Sequence, residues 1–304
     1  MSQAGRADDA QRFDDQRPRL FAIAYQLTGS VADAEDAVQE AWAAWVGADR
    51  TGVYNPAGYL TRLVTHKAVD ALRARQRRRE SYPGSWLPEP LPTAVATPSA
   101  HPDPQDAAEL ADEVTTGLLV LLETLTPEQR AAFVLHEAFG LPHDEIAGLL
   151  DRTPAAVRKG HSRARAQVRG GRTRFRTDRR RAEQVAQQFL GAAAGGDLQT
   201  LVTLLEDGAV VISDGGGKVS AARRVVQGAE QVARFMIGIA ARVGTDLTHV
   251  PTELGGLPAL ASWDLTGARP RLDTVTMIET EGDRVSAVYV QRNPDKLRHL
   301  EWGG

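Results

Sequence analysis

Seven prolines fall between Tyr82 and Pro104, at positions 83, 88, 90, 92, 98, 102 and 104 of this 304-residue chain. Each fixes its own φ near about −65° and removes a backbone donor, so no regular helix runs through such a segment. Residues 82–105 are therefore expected to form an extended linker. At this length two or three domains are expected. Helical periodicity runs from about residue 10 to 80 and again from about Asp106 to Arg181. From about Ala182 it gives way to helices followed by alternating β-branched runs such as "RLDTVTMIE" and "DRVSAVYVQ". The expected organisation is an all-α front half and an α+β back half, with no internal repeat.

Bulk composition sets the class. With 42% hydrophobic and 25% charged residues the chain reads as a soluble globular protein. No apolar run reaches about 18 residues, so no membrane span and no membrane partner are expected. The N-terminus "MSQAGRADDAQRFDDQRPRL" lacks the apolar core of an export signal. Cysteine is absent, which removes disulfides and thiolate metal sites and fits a reducing cytoplasm. Lysine occurs only at 67, 159, 218 and 296, so nearly all positive charge is arginine, whose planar fork suits phosphate.

The net charge of −3 conceals blocks. Val31–Asp49 holds five acids (Asp33, Glu35, Asp36, Glu40, Asp49) and no base; Thr61–Glu80 holds seven bases against two acids; Arg158–Arg181 holds eleven against one. Such sorting suggests several charged partner surfaces.

In "GSVADAEDAVQEAWAAW", Val31, Ala34, Val38, Trp42 and Trp45 form one apolar stripe, and Asp33, Asp36 and Glu40 lie on another face. A solvated acidic face is the plain alternative to a binding surface, weakened by the lack of a base at i+4. Asn55 and Pro56 open the next helix, "NPAGYLTRLVTHKAVDALRARQRRR". Leu60, Leu63, Val64, Ala68, Ala71 and Leu72 make its buried face; Arg62, His66, Arg73 and Arg77 gather on another. The loop Gly47–Asn55 precedes it.

Thr126-Pro127 opens a helix that "GLP" (Gly140–Pro142) closes. A short helix with Ile146, Leu149 and Leu150 follows, then the turn Asp151–Thr153, then a helix capped by Thr153 with Pro154 in its first turn. This is the pattern of a helix-turn-helix, whose second helix lies in the DNA major groove. Val157, His161, Ala164 and Val168 face inward, leaving Arg158, Lys159, Ser162, Arg163, Arg165 and Arg169 outward. A merely solvated basic helix is the competing reading, and the helix-turn-helix context favours DNA.

In the back half "DGGGK" (Asp214–Lys218) is not a phosphate-binding loop, since Ile212 stands at the first glycine position and Val219 follows the lysine. A β-hairpin turn between two strands is expected there. Further strands are expected near Leu247–Glu253, Leu260–Leu265 and Leu272–Val290, the last turning at "EGD". Asp264 and Asp273 are expected near the surface, and no catalytic pair can be assigned. "HEAFGLPHDE" brings His136, Glu137, His143, Asp144 and Glu145 close in sequence, but the spacing is not HExxH and a helix break intervenes. Surface and capping roles are expected, with no metal and no cofactor; His161 is expected as a helix-packing residue.

These pieces in this order, over about residues 12–172, resemble the extracytoplasmic-function sigma factors, promoter-specificity subunits of bacterial RNA polymerase. "DAEDAVQEAWAAW" is similar to region 2.2, "NPAGYLTRLVTHKAVDALRARQRRR" to regions 2.3–2.4, and Leu121–Arg169 to region 4. "WLPEP" (Trp86, Leu87, Pro88, Glu89, Pro90), "DGGGK" (Asp214, Gly215, Gly216, Gly217, Lys218) and "NPDKL" (Asn293, Pro294, Asp295, Lys296, Leu297) resemble the signature strings of group 41 in that family. Its members carry a fused SnoaL-like cone domain related to nuclear transport factor 2. The resemblance implies a region 2 bundle over 10–81, the linker, a region 4 domain over 106–172 and the α+β domain over 180–304.

It also implies roles. Asp33, Asp36, Gln39 and Glu40 would grip the β′ clamp helices of core polymerase, and Pro127–Phe139 would dock on the β flap. Tyr54 and Asn55 would capture a flipped base of the −10 element, offsetting an unstacking cost of a few kcal/mol by stacking and edge hydrogen bonds. Arg62, His66, Arg73 and Arg77 would hold −10 strands, and Arg158, Lys159, Ser162, Arg163 and Arg165 the −35 element. The three signature strings would line a regulatory contact of the C-terminal domain acting in cis. Two other readings stay open: a ligand-responsive regulator binding duplex DNA alone, and a SnoaL-like small-molecule enzyme with a DNA-binding anchor. Under every reading an unidentified small ligand of the C-terminal domain stays open as a partner.

Overall fold

The computed structural model describes residues 3–48, 53–79, 82–92, 115–171, 178–242 and 246–301. The expected linker stretch 93–105, the start of the second helical domain at 106–114 and loop residues 49–52 lie outside the described residues. The chain divides into two compact units, one built from helices of 3–79 and 118–171, the other from 82–92, 115–117 and 178–301.

In the first unit, helices α1 (Gln3–Thr28), α2 (Val31–Gly47) and α3 (Pro56–Arg79) pack pairwise into a bundle. Ser30 caps α2 by accepting the Asp33 N–H at 3.2 Å. Ala34, Ala37, Val38, Ala41 and Trp45 are buried at helical spacing, while Val31 and Trp42 of the expected stripe are half-buried. On α3, Leu60, Val64, Ala68 and Leu72 are buried as expected; Leu63 and Ala71 are half-buried, and Thr61, Thr65 and Val69 widen the core face.

Helices α4 (Thr116–Leu122), α5 (Pro127–Glu137), α6 (His143–Leu149) and α7 (Pro154–Gly171) follow. Thr126 and Gln129 form a capping box at the start of α5. Gly140, at φ 64°, takes the left-handed position that ends that segment. Between α6 and α7, Asp151 adopts φ 50°, a conformation short polar side chains tolerate, and Thr153 Oγ1 accepts the Ala156 N–H at 3.3 Å. Ile146, Leu149, Val157, Ala164 and Val168 close the helix-turn-helix core.

The second unit is α+β. Helices α8 (Arg179–Gly195), α9 (Leu198–Leu204) and α10 (Ala229–Arg242) pack on a six-stranded sheet. Strands β1 (Leu205–Asp214), β2 (Val226–Gln227), β3 (Leu247–Leu254), β4 (Leu257–Asp264), β5 (Arg271–Glu281) and β6 (Arg284–Gln291) run in spatial order β2-β1-β6-β5-β4-β3. All neighbours are antiparallel except β1 and β6. Phe189, Leu201, Val211, Val232, Met236, Ile278 and Val288 belong to the shared core of helices and sheet.

One expectation fails here. "DGGGK" does not turn tightly between two strands, because the second strand shrinks to Val226–Gln227 after an irregular excursion. The backbone after Asp214 is satisfied outside any ladder: the Lys218 and Val219 N–H groups donate to Gly215 O, and Ser220 O accepts from the distant Arg292. A ladder strand would need those groups free.

Candidate nucleic-acid and polymerase interfaces

On α2, Asp36, Gln39 and Glu40 are exposed and Asp33 is half-buried. The missing i+4 cations are replaced by bases from other helices: Lys67 of α3 meets Glu40 at 2.6 Å, and Arg17 of α1 meets Glu35 at 2.6 Å. Side-chain hydrogen bonding and charge from Glu40 hold the Lys67 ammonium above its ordinary range, although both groups remain well exposed.

Tyr54 is 99% exposed, an aromatic ring the fold leaves unused. Asn55 beside it is committed to local structure, its Oδ1 accepting the Gly58 N–H at 3.0 Å as the cap of α3. The two residues are therefore not equivalent as base-capturing groups.

The basic face of α3 is occupied by acids of the helix-turn-helix half. Arg62 pairs with Asp151 at 2.7 Å, and His66 lies 3.6 Å from the same carboxylate. Arg73 is held by Glu128 at 2.7 Å and by Asp70 at 2.9 Å, which raises its pKa further. Arg77 is exposed. Beneath lies a buried group: Arg75 meets Glu123 at 2.6 Å, Glu123 also pairs with Arg130, and Arg130 donates to Gln26 O at 3.1 and 3.3 Å. Arg130 is 1% exposed, so removing the shared carboxylate would strand it; breaking such a buried pair costs about 3–5 kcal/mol. Sequence reading missed Glu123 and Arg130 because nothing local marks a charge as buried.

On α7 the division is as expected. Val157, His161, Ala164 and Val168 are buried; Arg158, Lys159, Ser162, Arg163, Arg165 and Arg169 are exposed. Arg158 lies 3.4 Å from Asp144 and Arg165 3.6 Å from Glu137, both arginines about half exposed. Pairs this exposed are worth about 0–1 kcal/mol and yield readily to phosphate.

In the second unit the three signature strings converge on one carboxylate. Asp214, fully buried at the end of β1, accepts from Leu87 N–H at 2.9 Å, Lys296 Nζ at 2.7 Å, Tyr82 Oη at 2.6 Å and Gly216 N–H at 2.9 Å. Lys296, on α11 (Pro294–Leu297), also donates to Leu87 O at 2.6 Å and lies 4.0 Å from the centre of the Trp86 ring. Burial, then the bond to Asp214, pushes the Tyr82 hydroxyl well above the usual phenol range. Leu87, Pro88, Glu89 and Pro90 are buried, with Gln291 donating to Pro88 O and His299 bonded to Pro90 O at 2.8 Å. Asn293 donates to Tyr82 Oη and caps α11, while Lys218 meets Asp295 at 2.5 Å. Gly217 sits at φ 70° and a Cβ there would meet Pro83 Cγ at 2.5 Å, so only glycine admits the linker so closely. Asp264 and Asp273 lie near the surface in pairs with Arg271 and Arg292.

Residues 13–78 match the Sigma-70 region 2 family, and 116–168 match Sigma-70, region 4. The chain is 38% identical over 300 residues to the ECF RNA polymerase sigma factor SigJ of Mycobacterium tuberculosis, covering 95% of this chain and 93% of that protein. It is 28% identical to the probable ECF RNA polymerase sigma factor SigI of the same species, covering 95% of each. The crystal structure of M. tuberculosis SigJ superposes with a TM-score of 0.73 at 34% identity, over 95% of this chain and 98% of that one. Among the described residues, no helix is long and apolar enough to cross a membrane.

Proposed function

The chain belongs to the extracytoplasmic-function sigma factors of RNA polymerase, and from that membership we propose how each of its surfaces is used. As a sigma factor, not an enzyme, it binds core polymerase and directs promoter recognition and transcription initiation. The finer reading seats Asp33, Asp36, Gln39 and Glu40 on the β′ clamp helices, Pro127–Phe139 on the β flap, and the whole chain in the cytoplasm where core polymerase works. Asp36 carries more of the first contact than Glu40, whose carboxylate is already paired with Lys67.

The −35 element is read by Arg158, Lys159, Ser162, Arg163 and Arg165. The observation that carries this is the exposed basic row of α7 opposite a buried stripe. The −10 strand is held by Arg62, His66, Arg73 and Arg77, with Tyr54 stacking on the flipped base and Asn55 flanking it. In the free chain Asp151 and Glu128 occupy that face, so engagement of the −10 strand exchanges carboxylates for phosphates.

The C-terminal domain regulates in cis by holding the linker. Support comes from Asp214, which receives bonds from Tyr82, Leu87 and Lys296 at once. The test is reconstituted transcription with core polymerase, on a promoter selected by the holoenzyme from a random library. Full chain, chain ended at residue 179 and chain ended at Arg292 are compared. Initiation that depends on the chain, with different output from the two truncations, is expected. Equal output from both truncations contradicts the regulatory role, and initiation without the chain contradicts the whole reading.

A further inference from the structure

Three histidines that sequence spacing keeps apart are brought together by the helix-turn-helix. His136 ends α5, His143 opens α6, and His161 sits on the inward face of α7. Their ring centres lie 4.2, 4.5 and 5.0 Å apart, and one nitrogen of each ring falls within 4.8 Å of the others. His143 Nε2 and His161 Nδ1 are 3.0 Å apart.

The opposite nitrogens are engaged. His136 Nδ1 lies 2.8 Å from Leu141 O, an acceptor, so that nitrogen carries the proton and Nε2 keeps its lone pair. His161 Nε2 lies 2.7 Å from Glu137 Oε1, so its proton is there and the Nδ1 lone pair points toward His143. A carbonyl behind one imidazole and a carboxylate behind another are the outer contacts that fix the tautomer of metal-binding histidines.

We propose that His136, His143 and His161 form a three-imidazole site for a borderline divalent transition ion, zinc foremost, which fastens the promoter-facing helix α7 to α5 and α6. Imidazole nitrogens suit zinc, cobalt, nickel and copper, and the chain has no cysteine to compete. Tetrahedral zinc with bonds of about 2.0–2.1 Å places its ligand atoms about 3.3 Å apart. The His143–His161 separation of 3.0 Å needs only a few tenths of an ångström more, and the half-buried His143 can supply it by moving outward. In the ion-free state one N–H of His143 bridges to His161 Nδ1; binding moves that proton to His143 Nδ1 and leaves water as the fourth ligand. Glu137 is a positioning residue, and Arg165 lies 3.6 Å from it, so the ion would touch the charge balance of the α7 basic row.

The test uses the tag-free full chain, stripped with chelator and titrated with Zn²⁺ by calorimetry and with Co²⁺ by visible absorption. One equivalent, a tetrahedral Co²⁺ spectrum and a Zn²⁺-dependent rise in melting temperature are expected. His143→Gln, checked for retained helicity, should weaken binding at least tenfold and abolish the rise; His136→Gln should do the same. Glu137→Gln should weaken affinity by about 10–100-fold while keeping the Co²⁺ spectrum. No saturable site, or unchanged affinity in both histidine variants, overturns the proposal; the second result would move binding to His66, His249 or another histidine.

Discussion

Helices α3 and α7 both carry arginine-rich faces, and the fold leaves them in opposite states. On α3, Arg62, Arg73 and Arg75 end on Asp151, Glu128 and Glu123, carboxylates from the helix-turn-helix half. On α7, Arg158, Lys159, Arg163, Arg165 and Arg169 stay exposed, and among the described residues their ion pairs are loose ones at 3.4 and 3.6 Å. A block of positive charge becomes an open anion-binding face only where folding brings no acid of the chain's own to it. The α7 row is ready for phosphate in the free chain, whereas the α3 row must first exchange its internal partners.

The largest effect should come from the buried end of the α3 contacts. Glu123→Gln leaves Arg75 and Arg130 without their shared carboxylate and should cost about 3–5 kcal/mol in urea unfolding of the first unit. A loss below about 1 kcal/mol would place this group among ordinary surface pairs and remove the contrast with α7. Next in size, Arg158→Ala and Arg163→Ala should each weaken binding to a −35-containing duplex by about 1–3 kcal/mol where they read base edges. Where they meet phosphate alone, binding should weaken across all sequences with a shallower salt dependence; unchanged binding from both would mean that α7 is only a solvated surface.

Smaller still is the difference between two acids of α2. Asp36→Lys should weaken core polymerase binding in a pull-down more than Glu40→Lys, because Glu40 already spends its charge on Lys67. The reverse order would assign the clamp contact to the wrong part of the face.

Much of this was legible in the sequence because it is periodic or local. The caps at Asn55, Thr126 and Thr153 obey short-range rules, and the buried stripe of α7 follows from spacing alone. What was not legible depends on partners distant in sequence. Glu40 looked uncompensated because Lys67 belongs to the next helix. "DGGGK" looked like a hairpin turn because the linker and tail groups that bond the Asp214 carboxylate lie 127 and 82 residues away in sequence. The three histidines looked scattered because the third sits 18 residues past the second. One signal was available and went unused: in a chain that uses arginine almost everywhere, Lys67, Lys218 and Lys296 each reach a carboxylate of another element. A compact ammonium fits the crowded oxygens around Asp214 better than a planar guanidinium would.

Most directly, the contrast between the two basic faces is tested by anisotropy titration of the free chain with labelled single-stranded DNA over a salt series. Phosphate contacts need no known promoter sequence, and each adds about 0.7 to the salt slope for single strands. The Glu128→Gln/Asp151→Asn double variant should bind more tightly than the natural chain and with a steeper slope. Adding Arg62→Ala and Arg73→Ala should cancel that gain, while the same two arginine changes in the natural chain should alter little. Equal affinity and slope for the natural chain and the double variant would mean that the α3 face is not held shut by region 4, and the account would fail there.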